Sequence, residues 1–151
     1  MKKYDKLIFV CKTNTAVSPM AEAIMQELLK LDDILIVSKG IVVLFPEPVN
    51  PKAEAILASH SLTMKSHTSE PIVVDDFDQR TLILAMDPEQ KEMIVSEFHR
   101  ADNLFTLPEY LGTEDEISDP YGGTLADYGA CFEQLDRMLK MLAEQLRQED
   151  A

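Results

Sequence analysis

A cysteine closes the first apolar run of this chain, and its thiol is able to act as a nucleophile. In VCKTNTAVSP, Val10 to Pro19, Cys11 ends the run, a polar stretch follows, and Ser18 and Pro19 open a helical pattern. A turn joining the carboxyl end of a strand to the amino end of a helix directs several backbone N–H groups inward, and the helix terminus adds partial positive charge. Such a turn can hold a phosphate-like dianion. The same field favours a thiolate, which makes a cysteine there reactive. Plainer descriptions also fit: Cys11 as a small buried residue at a strand end, Ser18 as a helix cap and Asn14 as a turn residue. The stretch holds no arginine, and Gly40 is the sole glycine in the first 111 residues.

The elements that must position this turn follow from hydrophobic periodicity. KLIFV (Lys6 to Val10) has the β-branched and aromatic make-up of a buried strand. Met20, Ala21, Ile24, Met25, Leu28 and Leu29 recur at helical spacing, with Ser18 expected as N-cap and Pro19 at the first helical position. ILIVS (Ile34 to Ser38) is a second expected strand, followed by the proline-rich loop LFPEPVNP. Asn50 is the expected cap of a helix beginning at Pro51. TLILAM (Thr81 to Met86) is a third strand, and Asp87 and Pro88 open the helix after it. NLFTL is a fourth, shorter strand, and PEYLGTEDEISDPYGG is expected to be a long acidic loop. The last helix starts near Thr124, with Phe132, Leu135, Leu139, Leu142 and Leu146 along one stripe. Strands alternating with helices predict an α/β fold: one domain, residues 1–151, with a central four-stranded parallel sheet and helices on both faces. Ligands of such sheets bind beyond the carboxyl ends of the strands, where Cys11 lies.

Composition narrows the function classes. The chain has 151 residues, 14 Lys plus Arg against 27 Asp plus Glu, and a formal net charge of -13. A surface this acidic repels polyanions, so neither nucleic acid nor an anionic membrane is an expected partner. No apolar run approaches the ~20 residues of a membrane span. The basic start MKKYDKLIFVCKTN lacks the long apolar region and small-residue cleavage site of a signal peptide. Cys11 and Cys131 are too few for a disulfide framework and are expected to be reduced thiols in a cytoplasmic protein. Three scattered histidines give no metal-ligand pattern, and no cofactor is expected.

The segment FVCKTNTAVSPMAEAI resembles the active-site signature of the low-molecular-weight protein tyrosine phosphatases. VSKG, EPVNPKAEAIL, TLILAMDPEQ and SDPYGG resemble further family segments in the same order, so the resemblance spans nearly the whole chain. It implies the strand order 2-1-3-4 and assigns roles by position. Cys11 matches the nucleophile that forms a phosphocysteine, Asn14 the residue that shapes the loop, and Ser18 the hydroxyl bonded to the cysteine sulfur. Asp119 matches the general acid and Tyr121 an aromatic wall of the substrate cleft. Lys12, Thr13, Asn14, Thr15, Ala16 and Val17 are then the phosphate-binding loop. FTLPEYL and DPYGGTLADY look closer to the bacterial protein-arginine phosphatases, which carry a threonine where Thr15 stands.

Three loop positions depart from the family pattern. Val17 stands in place of an arginine that forms bidentate bonds to phosphate; losing such a group costs on the order of 10²–10⁵ in rate. Thr13 replaces a glycine and Ala16 a cysteine. Lys12 is a point charge, not a fork, and its side chain is expected to point away from the anion. Glu109, Glu114, Asp115, Glu116 and Asp119 further oppose a dianion. The resulting expectation is a cysteine-dependent phosphatase on phosphorylated protein with a strongly impaired anion cradle. The alternative is a non-catalytic binding or regulatory protein on the same fold. Arsenate reduction needs relay thiols, and Cys131 alone, far down the chain, is a poor candidate.

Overall fold

The computed structural model describes residues 2–150. Four strands, β1 (Lys6–Cys11), β2 (Leu35–Gly40), β3 (Thr81–Ala85) and β4 (Leu104–Thr106), form one sheet. All pairings are parallel, and the order is β2-β1-β3-β4. The helices are α1 (Val17–Leu28), α2 (Pro51–Ser59), α3 (Pro88–Phe98), α4 (Leu107–Leu111) and α5 (Leu125–Asp150). The α/β class, the single domain and the 2-1-3-4 order are those expected from the sequence.

Side-chain alternation along the buried strands divides the core in two. Leu7, Phe9 and Cys11 of β1 face one side of the sheet with Leu82 and Leu84 of β3, and pack on α1, α2 and α5. Ile8 and Val10 face the other side with Ile83 and Ala85, and pack on Ile94 of α3 and on Ile72 and Phe77. A strand buried on both faces has no polar half, which is why these runs are continuously apolar. Each fully buried aliphatic side chain contributes about 1.5–3 kcal/mol relative to exposure. Among the described residues, no helix is long and apolar enough to cross a membrane.

Two local expectations are corrected. The stretch expected to be a loop from Pro108 opens with helix α4. Thr106 Oγ1 accepts from the Glu109 N–H at 3.1 Å, and Glu109 Oε1 accepts from the Thr106 N–H at 3.2 Å. This reciprocal pair holds one short helix until Gly112 (φ +72°) ends it. Helix α1 begins at Val17, not at Pro19, and Ala16, which offers no side-chain bond, occupies its N-cap. Ser18 is therefore inside the helix. Pro19 is the third helical residue, still tolerated because the first intrahelical bond runs from the Met20 N–H to the Ala16 carbonyl at 3.0 Å.

The register places Gly40 beside Cys11 at the carboxyl edge of the sheet. A Cβ on Gly40 would lie 2.5 Å from Val43 Cγ2, 2.9 Å from Asn14 Cβ and 3.0 Å from the Thr13 carbonyl carbon. The turn after Cys11, at Thr13 and Asn14, can therefore fold back closely only over a bare backbone. Gly40→Ala is expected to destabilise the protein by about 1–3 kcal/mol, the range for forced overpacking, read as a lower urea midpoint at unchanged m-value. An unshifted midpoint would contradict the close approach.

Candidate active site

A cavity of about 330 Å³ opens at the carboxyl edge of the sheet. Cys11 ends β1 at its base, and Lys12, Thr13, Thr15, Ala16 and Val17 line one side. Asp119 and Tyr121, more than a hundred residues further along the chain, line it as well. Met86, Asp87 and Gln90, at the junction of β3 and α3, contribute another wall with Ile117 and Asn50. The topology explains the convergence: β1 and β3 are adjacent and parallel, so the turns after both leave the same edge.

The turn itself is held from behind. Asn14 is fully buried and adopts a left-handed conformation (φ 59°), which asparagine tolerates better than most residues. Its side-chain amide donates to Ser18 Oγ at 3.0 Å and Ser38 Oγ at 2.9 Å, while its Oδ1 accepts from the Glu70 N–H at 3.0 Å. Its backbone carbonyl accepts from His67 Nε2 at 2.8 Å, which fixes that ring nitrogen as the protonated one. Ser38 in turn donates to Glu22 Oε1 at 2.9 Å. The neighbouring carbonyls are anchored too: Lys12 O accepts from the N–H groups of Ile41 and Val42, and Thr15 O from that of Asn50 at 2.7 Å. Asn14 and Ser18 are thus absent from the cavity wall and sit directly behind it.

Ser18 Oγ lies 2.9 Å from Cys11 Sγ. With Asn14 donating to that oxygen, the hydroxyl proton is free to point at sulfur. The expected helix cap is instead a partner of the thiol, because a serine at the second helical position projects back into the turn. At the mouth, Thr13 Oγ1 and Thr15 Oγ1 are 2.8 Å apart. Val17 is 6% exposed and packs into the core cluster of α1 and α5.

Charge in the cavity is predominantly negative. Asp119 Oδ1 accepts from the Tyr121 N–H at 2.9 Å, and Asp87 Oδ1 caps α3 through the Gln90 N–H at 2.8 Å. Lys12 is exposed and is the one cationic side chain among the described residues lining the wall. Tyr121 is 85% exposed. Cys131 of α5 is buried outside this cavity, and burial pushes its thiol up to about 12.

A family model described as low molecular weight phosphotyrosine protein phosphatase matches residues 6–151. The chain belongs to that family. Among curated relatives, it is 33% identical over 148 residues to a protein-arginine-phosphatase of Bacillus subtilis, covering 95% of this chain and 97% of that one. It is 34% identical over 130 residues to the low molecular weight protein-tyrosine-phosphatase PtpB of Staphylococcus epidermidis, covering 86% and 91%. The solved YwlE arginine phosphatase from Geobacillus stearothermophilus superposes with a TM-score of 0.87 at 33% identity, covering 95% of this chain and 94% of that chain. Within this phosphatase family, the chain looks toward the bacterial arginine-phosphatase branch.

Several residues around the site carry no signal in the sequence pattern. Asn50, Met86, Gln90 and Ile117 face the cavity although the first three are accounted for locally as a cap, a strand end and a first-turn residue. The carboxyl ends of β1 and β3 together were the available clue. Ser38, His67 and Glu22 back the turn from three separate segments, and nothing in their local sequence marks them.

Two outcomes follow from this network. Asn14→Ala leaves the Glu70 N–H without its acceptor and a non-asparagine residue in the left-handed region. It is expected to lower stability by about 2–4 kcal/mol in urea unfolding; a loss below measurement error would show that the turn does not depend on this side chain. Burial raises the Glu22 carboxyl above its ordinary value, outweighing the Ser38 hydrogen bond. A raised folded value means the folded state holds this proton more tightly. The penalty is absent below the unfolded value near 4.5 and grows as pH rises through the folded value. The stability of Glu22→Gln relative to wild type should therefore increase between pH 4 and pH 7; a pH-independent difference would refute the assignment.

Proposed function

We propose that the protein is a cysteine-dependent phosphatase of protein substrates whose rate is strongly limited by its anion cradle. Cys11 Sγ attacks the phosphorus, the bond to the leaving side chain breaks, and Asp119 gives that side chain a proton. Water then attacks the phosphocysteine and the thiolate departs, helped by the Ser18 hydroxyl. The roles of these residues, and of Tyr121 and Thr15 as parts of the substrate wall, rest on the family pattern, on the convergence of Cys11, Asp119, Tyr121 and Thr15 at one cavity, and on the contact of Ser18 with the Cys11 sulfur. The uncapped start of α1 leaves backbone N–H groups for the phosphoryl oxygens.

The single observation that carries the impairment is the position of Val17. An apolar side chain packed into the core occupies the place where the family resemblance calls for a guanidinium, and Lys12 is the sole cationic side chain at the wall. A lone ammonium on a flexible stem does not reproduce a bidentate fork. The same observation favours a second reading, a non-catalytic phosphatase-fold protein that binds a phosphorylated partner.

Hydrolysis of para-nitrophenyl phosphate by wild type, Val17→Arg and Val17→Arg,Thr13→Gly tests both. The arginine variants are expected to be at least ~10²-fold faster, the worth of one transition-state contact of this kind. Thermal melting with and without phosphate reports whether each variant folds, because an arginine without an anion leaves an unpaired buried charge. Equal rates in folded proteins, or high wild-type activity, would overturn the impaired-cradle account. Activity in none of them, with phosphate still raising the melting temperature, would establish the binding-protein reading. Phosphoarginine and phosphotyrosine peptides compared on the faster variant separate the two substrate chemistries.

A further inference from the structure

A larger cavity, of about 850 Å³, lies beside the first and shares Met86, Asp87, Ile117 and Asp119 with it. The two form one continuous trough running from Cys11 between α3 and the loop after α4. Its floor is apolar, from Met86, Val95, Pro108 and Ile117. Its rim carries Glu89 and Glu92 on α3, and Glu114, Asp115 and Glu116 on the opposite loop. Among the described residues, these five exposed carboxylates accept no hydrogen bond and form no ion pair, unlike Asp5, Asp32 and Asp102, each of which holds an arginine. Among the described residues lining this second cavity, the one ammonium, Lys91, is already bound to Glu109 at 2.7 Å.

Resting on the phosphatase reading above, we propose that this trough is the docking groove for the substrate polypeptide and selects a basic segment. The residue to be processed enters the Cys11 cavity, the backbone lies over the apolar floor, and flanking lysine or arginine side chains meet the two carboxylate rims. The rim charges stand on opposite walls, so cations on alternate sides of an extended chain are matched at once. A second copy of this chain does not fit, because its formal net charge of -13 repeats the sign of the groove. A free polyamine matches the charge and leaves the floor uncovered. A basic segment would also bring positive charge to a site whose own wall is acidic.

The test is binding without turnover. A fluorescent nonapeptide in which pairs of adjacent lysine or arginine residues are separated by single leucines, so that cations stand on both sides of an extended chain, unphosphorylated, is titrated into the protein at low salt by anisotropy, beside the same peptide with glutamate for the basic residues. The basic peptide is expected to bind and the acidic one not to. Glu92→Gln,Glu114→Gln,Glu116→Gln should weaken the basic peptide by about tenfold or more, since three exposed charge pairs together are worth that. Glu27→Gln,Asp33→Asn,Glu144→Gln, at positions outside the groove, should change it less than about twofold, within the small effect of distant surface charges. No binding of the basic peptide, or equal affinity for both triple variants, overturns the proposal. Spermine binding as tightly as the peptide overturns it too, because charge alone would then suffice. None of these results depends on hydrolysis, so a failed phosphatase assay leaves the groove tested separately.

Discussion

One asparagine holds the site together. Asn14 is sealed from solvent, yet both polar atoms of its side chain and its backbone carbonyl have partners, drawn from α1, β2 and the segment around residues 67–70. A buried amide left unpaired is costly, so these partners cannot drift without penalty. Their mutual satisfaction sets the left-handed kink that sends the chain from the end of β1 into α1. The distance between Cys11 and Ser18, the start of α1 at Val17 and the direction of the loop N–H groups are consequences of that kink. The network joins amide, hydroxyl, imidazole and backbone groups to a single carboxyl, Glu22, at its far end. Asn14 and Ser18, at its centre, lie behind the cavity wall and not on it.

Shape and charge are separable in this molecule. The turn after Cys11 is braced by hydrogen bonds, while the cavity beside it is lined, among the described residues, by apolar and neutral polar side chains, two carboxylates and one ammonium, Lys12. Val17 belongs to the core, and its neighbours gain packing from it. An arginine at that position would have to leave the core or be buried unpaired, so burial alone favours the apolar side chain. Asp87 illustrates the same division, since its carboxylate caps α3 and lines the cavity. Such a residue is fixed by the fold before any question of catalysis arises.

Strands β1 and β3 were legible because burial on both faces makes them unbroken apolar runs bounded by polar turns. Cys11 was legible because it lies where such a run ends. The family resemblance supplied the strand order, which periodicity alone does not encode. Ser18 was misplaced because a serine before a proline and an apolar stripe is also the mark of a helix cap; only the tertiary partner, a thiol, decided otherwise. Helix α4 was hidden within an acidic stretch, although Thr106 and Glu109 have the spacing of a reciprocal cap. The far wall of the cavity was not legible, since Met86 and Ile117 become neighbours of Cys11 only when β1 and β3 pair. Ser38, His67 and Glu22 are ordinary polar residues locally, and their meeting at Asn14 is wholly tertiary.

The two thiols have different surroundings, and this makes the protein its own reporter. Cys131 sits on α5 against the core at 2% exposure, with its thiol pushed up to about 12. At that value on the order of 10⁻⁵ of it is ionised at neutral pH, so an alkylating reagent finds almost no thiolate to attack. Cys11 opens onto a cavity. Labelling at Cys131 thus requires the packing around it to open, either against the core or against the 118–123 segment that flanks it, and its rate is a clock for that opening, readable by mass spectrometry on unmodified protein. The opening can be timed without a substitution or an attached probe.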